Sequence, residues 1–460
     1  QLMYSLDDTI AAIATSIGQS GVGIVKISGP EAYPIAQSLF RSARGLTELQ
    51  PYRLHYGRIV DPATDQPVDE ALVAFMPQPR TYTRQDIVEI QAHGGIVPLR
   101  RILQLSLSLG ARLAEPGEMT LRAFLNGRLD LAQAEAVLDV IEAKTEAALR
   151  VANEQLSGSL SAQVSQVRAA LLDTLAFLEA SIDFVEDEIP TQDVVGPLTG
   201  VVGRLEKLLQ SADYGLIYRQ GVRAAIVGRP NVGKSSLLNA LLRGNRAIVT
   251  SIPGTTRDTL EETVKVGGIP LVLVDTAGIR AEVTDEVERI GVERSRAALA
   301  RADIALMVID GSSELEASDR QIAALVGRKP GLLVINKDDL VAQTTPEMLA
   351  DFLPTAPRVT ISALHQSGID QLEQALVELI LGGRVTTADT PLVSNPRHKA
   401  LLQQALAHTQ AAIAAQQAGL SADLVSIDVR AAVETLGEIT GETVTEDLLE
   451  TIFSKFCIGK

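Results

Sequence analysis

Cysteine and tryptophan are almost wholly missing: Cys457 stands alone and there is no tryptophan among 460 residues. A single cysteine excludes any disulfide within the chain and fits a reducing compartment. With 7 tyrosines and 8 phenylalanines, aromatics are scarce too, which counts against a stacking platform for single-stranded nucleic acid. Positive charge is in the minority, with 41 Lys and Arg against 57 Asp and Glu and a formal net charge of −16. A broad basic surface that holds nucleic acid by its phosphates is thereby excluded, so any RNA contact must be local or shared with a partner. There is no apolar run of about 18 residues, the length that spans a bilayer, and no charged segment followed by a long apolar one at the start of the sequence. A cytoplasmic protein without membrane contact is expected.

What is present centres on Gly228-Arg229-Pro230-Asn231-Val232-Gly233-Lys234-Ser235-Ser236, which has the form of a phosphate-binding loop. The apolar run Ala224 to Val227 predicts a strand entering it, and Ser236 to Leu242 an amphipathic helix leaving it. Backbone N–H groups from Asn231 to Ser236 would cradle phosphate oxygens at the helix N-terminus. Lys234 would neutralise the β- and γ-phosphates, and the Ser235 hydroxyl would ligate Mg²⁺.

The motifs that follow give the loop its context. A strand over Leu271 to Val274 ends in Asp275-Thr276-Ala277-Gly278, where the carboxylate suits a Mg²⁺-bound water and the glycine admits the γ-phosphate. A strand over Leu332 to Ile335 runs into Asn336-Lys337-Asp338-Asp339. The Asp339 carboxylate can accept both the N1–H and the 2-amino group of guanine, an edge adenine lacks. Asn336 would brace loop and base, the stem of Lys337 would cover one ring face, and Ser362-Ala363-Leu364, after a strand over Val359 to Ile361, would touch the guanine oxygen. Between the first two motifs lies Thr250-Ser251-Ile252-Pro253-Gly254-Thr255-Thr256-Arg257-Asp258, placed as a nucleotide-responsive switch, with Thr256 as second Mg²⁺ ligand. Ile279 stands where many regulatory GTPases carry a water-orienting glutamine. Catalysis must then come from a charge in the switch, a carboxylate such as Glu286 or Glu288, or a partner chain.

A length of 460 residues suggests roughly three domains. Residues 1–118 alternate strand signals (Ile24 to Ser28, Leu72 to Met76, Asp86 to Gln91) with a helical one (Ile96 to Leu109), predicting a small α+β domain. Helical spacing runs from Thr120 to about Asp183 and returns over Pro396 to Gln417 and Leu424 to Phe456. The simplest organisation is a helical domain built from 119–214 and 384–460, with a nucleotide domain at 215–383 inserted into it; two separate helical units are the alternative.

Asn231 in the loop, Gly254 to Asp258, Asp285-Glu286-Val287-Glu288-Arg289-Ile290-Gly291 and the terminal Phe456-Cys457-Ile458-Gly459-Lys460 together resemble the MnmE (TrmE) family of tRNA-modifying GTPases. Pro116-Gly117-Glu118, Arg122 to Leu131, Gln133 to Ala136 and Gly21 to Gly29 carry the likeness over nearly the whole chain. The resemblance implies an N-terminal α+β domain that binds a tetrahydrofolate and dimerises, a helical domain, and an inserted Ras-like P-loop GTPase domain. It implies a homodimer that works with the flavoprotein MnmG (GidA) to install an aminomethyl or carboxymethylaminomethyl group at C5 of the wobble uridine of certain tRNAs, using 5,10-methylene- or 5-formyl-tetrahydrofolate. It further implies a K⁺ held by Asn231, Thr250, Ile252 and Thr255 where an arginine finger stands elsewhere, with Glu288 positioning the attacking water. The folate positions become Lys26, Glu89, Arg128 and Lys460, and the tail brings Cys457 to that site as a candidate thiolate. Lys26 departs from a frequent arginine, exchanging a bidentate fork for a point charge. Glu115 and Met119 also depart, replacing an arginine and a phenylalanine. A ribosome-assembly GTPase shares the Asn-bearing loop, the position of Ile279 and potassium dependence, but usually adds an RNA-binding module; a switch needing a separate activating protein would turn over slowly alone. Neither explains the termini.

Overall fold

The computed structural model describes residues 7–183, 193–245, 262–274, 295–327, 329–345, 348–349, 352–382 and 393–460. They fall into two compact units: Gln1–Leu138 with Leu156–Val201 and Ala407–Lys460, and Asp139–Gln155 with Val202–Leu406. Among the described residues no helix is long and apolar enough to cross a membrane.

The first unit begins with a sheet of β1 (Ile10–Ile13), β2 (Gly23–Ser28), β3 (Phe40–Ser42), β4 (Leu54–Val60), β5 (Pro67–Met76), β6 (Ile87–Ala92) and β7 (Arg112–Leu113), ordered β3-β4-β5-β6-β2-β1-β7. Alternation sets its two faces. Val25 and Ile27 of β2 and Val88 and Ile90 of β6 join Ile35 and Leu39 of the helix Ala32–Leu39 and Leu99 and Ile102 of the helix Ile96–Ser108 in one core. Lys26 and Glu89, cross-strand partners on β2 and β6, alternate with those core residues and lie on the other face.

The helical text after Pro116 forms Glu118–Leu125, Leu131–Glu142, Glu146–Leu156 and Ser159–Asp183, not one continuous run. The first break has a local cause: the Asp130 N–H donates to Gln133 Oε1 (3.0 Å) while the Gln133 N–H donates to Asp130 Oδ1 (2.8 Å), a reciprocal capping box that starts a new helix. The downstream stretch likewise divides into Ala422–Thr440 and Glu446–Phe453. Within the first unit, helices from either side of the nucleotide segment are joined: Arg168 Nε of Ser159–Asp183 donates to the Val433 carbonyl (3.3 Å), and Arg430 pairs with Glu179. Arg122, 1% exposed, fixes the helix Glu118–Leu125 to the start of β1 by donating to Glu118 Oε1, Gln85 Oε1 and the Asp8 carbonyl and carboxylate. Burial alone would raise the Glu118 pKa, but Arg112, the Glu115 N–H and Arg122 outweigh it and hold the carboxyl below its ordinary range.

The second unit holds β8 (Val222–Val227), β9 (Glu262–Val266), β10 (Ile269–Val274), β11 (Ile304–Asp310), β12 (Gly331–Asn336) and β13 (Arg358–Thr360), ordered β13-β12-β11-β8-β10-β9. Every described pairing is parallel except β9 with β10. The central strands are buried on both faces, which is why β8, β10, β11 and β12 are nearly continuous apolar runs. Parallel order places the C-terminal ends of these strands on one edge, where a doubly wound sheet takes its ligand.

Candidate functional site

β8 ends at Val227, and the loop passes directly into the helix Lys234–Asn245. Asn231 and Gly233 take left-handed backbone angles, φ 64° and 97°, which turn successive N–H groups to one side. At Gly233 a Cβ would lie 2.0 Å from Asn336 Nδ2, so the position admits no side chain. Val232 is buried as the loop's anchor while Asn231, Ser235 and Ser236 are exposed. The Lys234 ammonium donates to the carbonyls of Gly228 (2.7 Å) and Arg229 (2.6 Å), arching over the loop. Burial pulls its pKa down to about 8, against the attraction of Asp319.

The guanine motif starts where β12 ends. Asn336, 2% exposed, donates through Nδ2 to the Val232 carbonyl (2.8 Å) and accepts through Oδ1 the N–H of Ala363 (3.0 Å). One amide thus joins the phosphate loop to the loop after β13. Asp339 Oδ1 accepts the Ser362 hydroxyl at 2.5 Å, and that bond holds the Asp339 carboxyl below its ordinary range. Lys337, at φ 69°, pairs through Nζ with Asp310 Oδ2 at 2.6 Å. Burial would raise the Asp310 pKa, but the bonds from Lys337 and Ser312 keep it low. Ser362 and Ala363 are buried and Leu364 is exposed.

Of the remaining nucleotide positions, Thr250, Ser251, Ile252, Pro253, Gly254, Thr255 and Thr256 in the switch, Asp275, Thr276, Ala277 and Gly278 after β10, Ile279 and Glu288 all lie outside the described residues. β10 ends at Val274, one residue before that aspartate.

In the first unit Lys26 Nζ lies 3.4 Å from Glu89 Oε1. Lys26 and Arg128 both face the ring of Tyr82, at 6.0 and 4.7 Å from its centroid. The Tyr82 hydroxyl hydrogen-bonds Thr120 Oγ1 at 2.9 Å, and its ring packs against the cluster of Ile10, Ala12, Ala114 and Met119. The C-terminal tail comes to the same cluster: the Met119 N–H donates to the Lys460 carbonyl (3.1 Å), Pro116 bridges Ile458, and Gly117 donates to the Cys457 carbonyl. Gly459, at φ 93°, passes so close to β1 that a Cβ would lie 2.8 Å from the Ile13 carbonyl oxygen. Cys457 is exposed. Lys26 and Arg128 therefore meet over one tyrosine, Glu89 is linked to it through Lys26, and the tail that carries Lys460 docks on Met119 of the same cluster.

Two family models match this chain. GTP-binding protein TrmE N-terminus covers residues 9–128. MnmE helical domain covers residues 131–457, well over half the chain. The chain belongs to the MnmE family. A tRNA modification GTPase MnmE from Roseiflexus castenholzii is 50% identical over 470 residues, covering 100% of both chains. The proteins of that name from Roseiflexus sp. strain RS-1 and Geobacillus kaustophilus are 51% and 49% identical, covering 99% and 98% of this chain and 99% of their own. The two MnmE-family matches meet at the Asp130–Gln133 capping box, where the helical text restarts.

The MnmE motifs do not name every residue that shapes these sites. Tyr82, Asp310, Arg229 and Asp319 take part through contacts between segments distant in sequence. Of these only Arg229 carried a signal, its place inside the phosphate loop.

Proposed function

We propose that this chain hydrolyses GTP in the service of tRNA modification at the wobble uridine. As a member of the MnmE family it is a GTPase, and the observation that carries the reading to its base and phosphates is the Asn336 bridge between Val232 and Ala363. That bridge sets the carboxylate of Asp339 at a fixed distance from the phosphate loop, which suits a guanine nucleotide laid along the strand ends.

Ser235, exposed in the first turn of its helix, offers the hard oxygen that Mg²⁺ takes, and Thr256 is proposed as the second protein ligand. Asn231, exposed on a left-handed turn beside the phosphate loop, offers a neutral oxygen suited to K⁺, with Thr250, Ile252 and Thr255 completing the set. When bound, these cations offset the charge that spreads over the phosphoryl oxygens in the transition state. Lys234 reaches the same oxygens from its seat on the loop carbonyls, Gly233 lets backbone N–H groups close on them, and Glu288 is the proposed group that orients water, since Ile279 carries no polar atom. GTP turnover should be much faster in potassium than in sodium at equal ionic strength, and Asn231→Ala should lose that response; equal turnover in both salts would return catalysis to an external partner.

The second half of the reading concerns the Tyr82 cluster. Lys26 and Arg128 suit the carboxylates of a folate tail, Glu89 suits an aminopyrimidine edge, and Lys460 is brought alongside by the docked tail. We read this as a tetrahydrofolate site that supplies a one-carbon unit, with the Cys457 thiol near it, in a cytoplasmic homodimer that acts with the flavoprotein MnmG. Nucleoside analysis of bulk tRNA from cells lacking the protein tests the whole: wobble uridines should lose the aminomethyl-type group at C5, and unchanged wobble uridines would overturn the assignment.

A further inference from the structure

Arg229 lies inside the phosphate loop at a position the loop's chemistry leaves open, yet its guanidinium is held by three residues of one neighbouring segment. Nη1 pairs with Glu316, Nη2 donates to Ser313 Oγ at 2.5 Å, and Nε lies 3.3 Å from Asp319 Oδ2. All three partners belong to one segment, the turn after β11 and the start of the helix Ala317–Val326. Glu316 and Asp319 form that helix's capping box, with the Glu316 N–H donating to Asp319 Oδ2 at 3.0 Å. Asp319 is 1% exposed. A carboxylate so buried is costly unless a cation faces it, and Arg229 is the nearest one, with Lys234 contributing at longer range.

The same turn is fixed at its other end by the guanine motif. Asp310, the last residue of β11, accepts Lys337 Nζ at 2.6 Å and the N–H and hydroxyl of Ser312. Thr344 Oγ1 donates to the Ser313 carbonyl at 3.1 Å. Two nucleotide-binding loops, one for phosphates and one for the base, therefore hold opposite ends of a single short turn. The Arg229 carbonyl is itself one of the two oxygens that seat Lys234, so where the fork holds Arg229 decides where the phosphate-binding ammonium sits.

We propose that Arg229 is a positioning residue that couples the phosphate loop to the base loop through residues 310–319, so that seating of the base and grip on the phosphates reinforce each other. It touches neither directly. The fork is essential because one planar group meets Ser313, Glu316 and Asp319 together, which a point charge cannot do.

The test is a double-mutant cycle on the full chain, read as GDP affinity by titration. Arg229→Gln should weaken GDP by about tenfold, with Arg229→Lys restoring little of it. Glu316→Gln, at a side chain 59% exposed and therefore of little risk to the fold, should weaken it by about threefold. Each combined with Lys337→Ala should lose less than the product of the single losses, because the two loops then no longer share an intact turn. A merely structural arginine would lower the unfolding midpoint but leave the losses multiplicative. GDP affinity within about twofold of the wild type in both Arg229→Gln and Glu316→Gln, or strictly multiplicative losses, overturns the proposal. Should Arg229→Gln fail to fold, the Glu316→Gln and Lys337→Ala cycle decides it alone.

Discussion

The nucleotide edge of the second unit and the Tyr82 cluster of the first are built in opposite ways. At the nucleotide edge, function-bearing residues sit in short contiguous motifs at the C-terminal ends of parallel strands β8, β12 and β13, and hydrogen bonds from one amide tie motif to motif. In the Tyr82 cluster, Lys26 and Glu89 come from adjacent antiparallel strands, Arg128 from a turn between helices, and Lys460 from the last residue of the chain. A parallel sheet brings its loop ends together automatically. An antiparallel sheet with a returning tail must assemble its site through the fold of the whole unit, so distant substitutions should damage it while sparing the nucleotide edge.

The largest expected effect lies at the brace. Asn336→Ala leaves the Val232 carbonyl and the Ala363 N–H without their buried partner, at about 1–3 kcal/mol each. GTP affinity should fall by about 10²-fold or more, measured by titration, with the tetrahydrofolate binding proposed for the first unit unchanged. Loss at both sites together would break the comparison.

Next is the base itself. Asp339→Asn replaces an acceptor by an amide whose N–H₂ can meet the 2-carbonyl of xanthine, so GTP affinity should drop by about 10²-fold while XTP binding appears. Dissociation constants that keep the preference for guanine would remove Asp339 from this role.

The tail gives the reciprocal case. Gly459→Val places a β-branched residue at φ 93° against the Ile13 carbonyl, and the tail should lift from β1. Affinity for 5-formyl-tetrahydrofolate should fall by about tenfold, and GTP turnover should stay as it is. Undiminished folate binding would show that the tail's docking does not serve the cluster.

The smallest effects are in pH, one in the alkaline range and one in the acid range. Lys234 titrates at about 8 in the fold against 10.5 for a free lysine, so the unfolded chain holds that proton more tightly and the lysine's contribution to stability rises as pH climbs through this window. Phosphates would raise the lysine's pKa again, so GDP affinity should decline above about pH 8 with proton uptake on binding, and Lys234→Met should flatten the slope. In the first unit, Asp8 and Glu118 are held below their ordinary values by Arg112 and Arg122, against the effect of burial. Their contribution is full above the ordinary carboxylate range and is lost as pH falls below it. Acid should therefore loosen the junction of Asp8, Glu118 and Arg122 in the first unit, measured by hydrogen exchange there, and the second unit should respond in the same direction through Asp310 and Asp339, which are also held low.

The nucleotide edge was largely legible because its chemistry demands residue types at fixed short spacings: a glycine where a Cβ would strike Asn336, a lysine at the helix start, an amide and a carboxylate after β12. The strands feeding these motifs were visible as apolar runs bounded by turn residues. β11 carries no motif of its own, yet its final residue, Asp310, pairs with Lys337, and nothing local marks that aspartate. In the helical text, composition showed helix but hid the breaks, although Asp130 and Gln133 stand at capping-box spacing. Tyr82 gave no signal, because a tyrosine in a loop acquires meaning only when Arg128 and Lys26 arrive over its ring.

By itself the sequence determined the phosphate loop, the guanine motif and the family, since each rests on neighbouring residues whose backbone geometry and donor chemistry are set locally. Tertiary structure alone decided that the tail closes against β1, that Lys26 and Arg128 meet over Tyr82, and that Arg229 and Lys337 hold one turn between them. These are pairings between segments far apart in the chain, fixed by the register of two sheets and the burial of charges that need a partner.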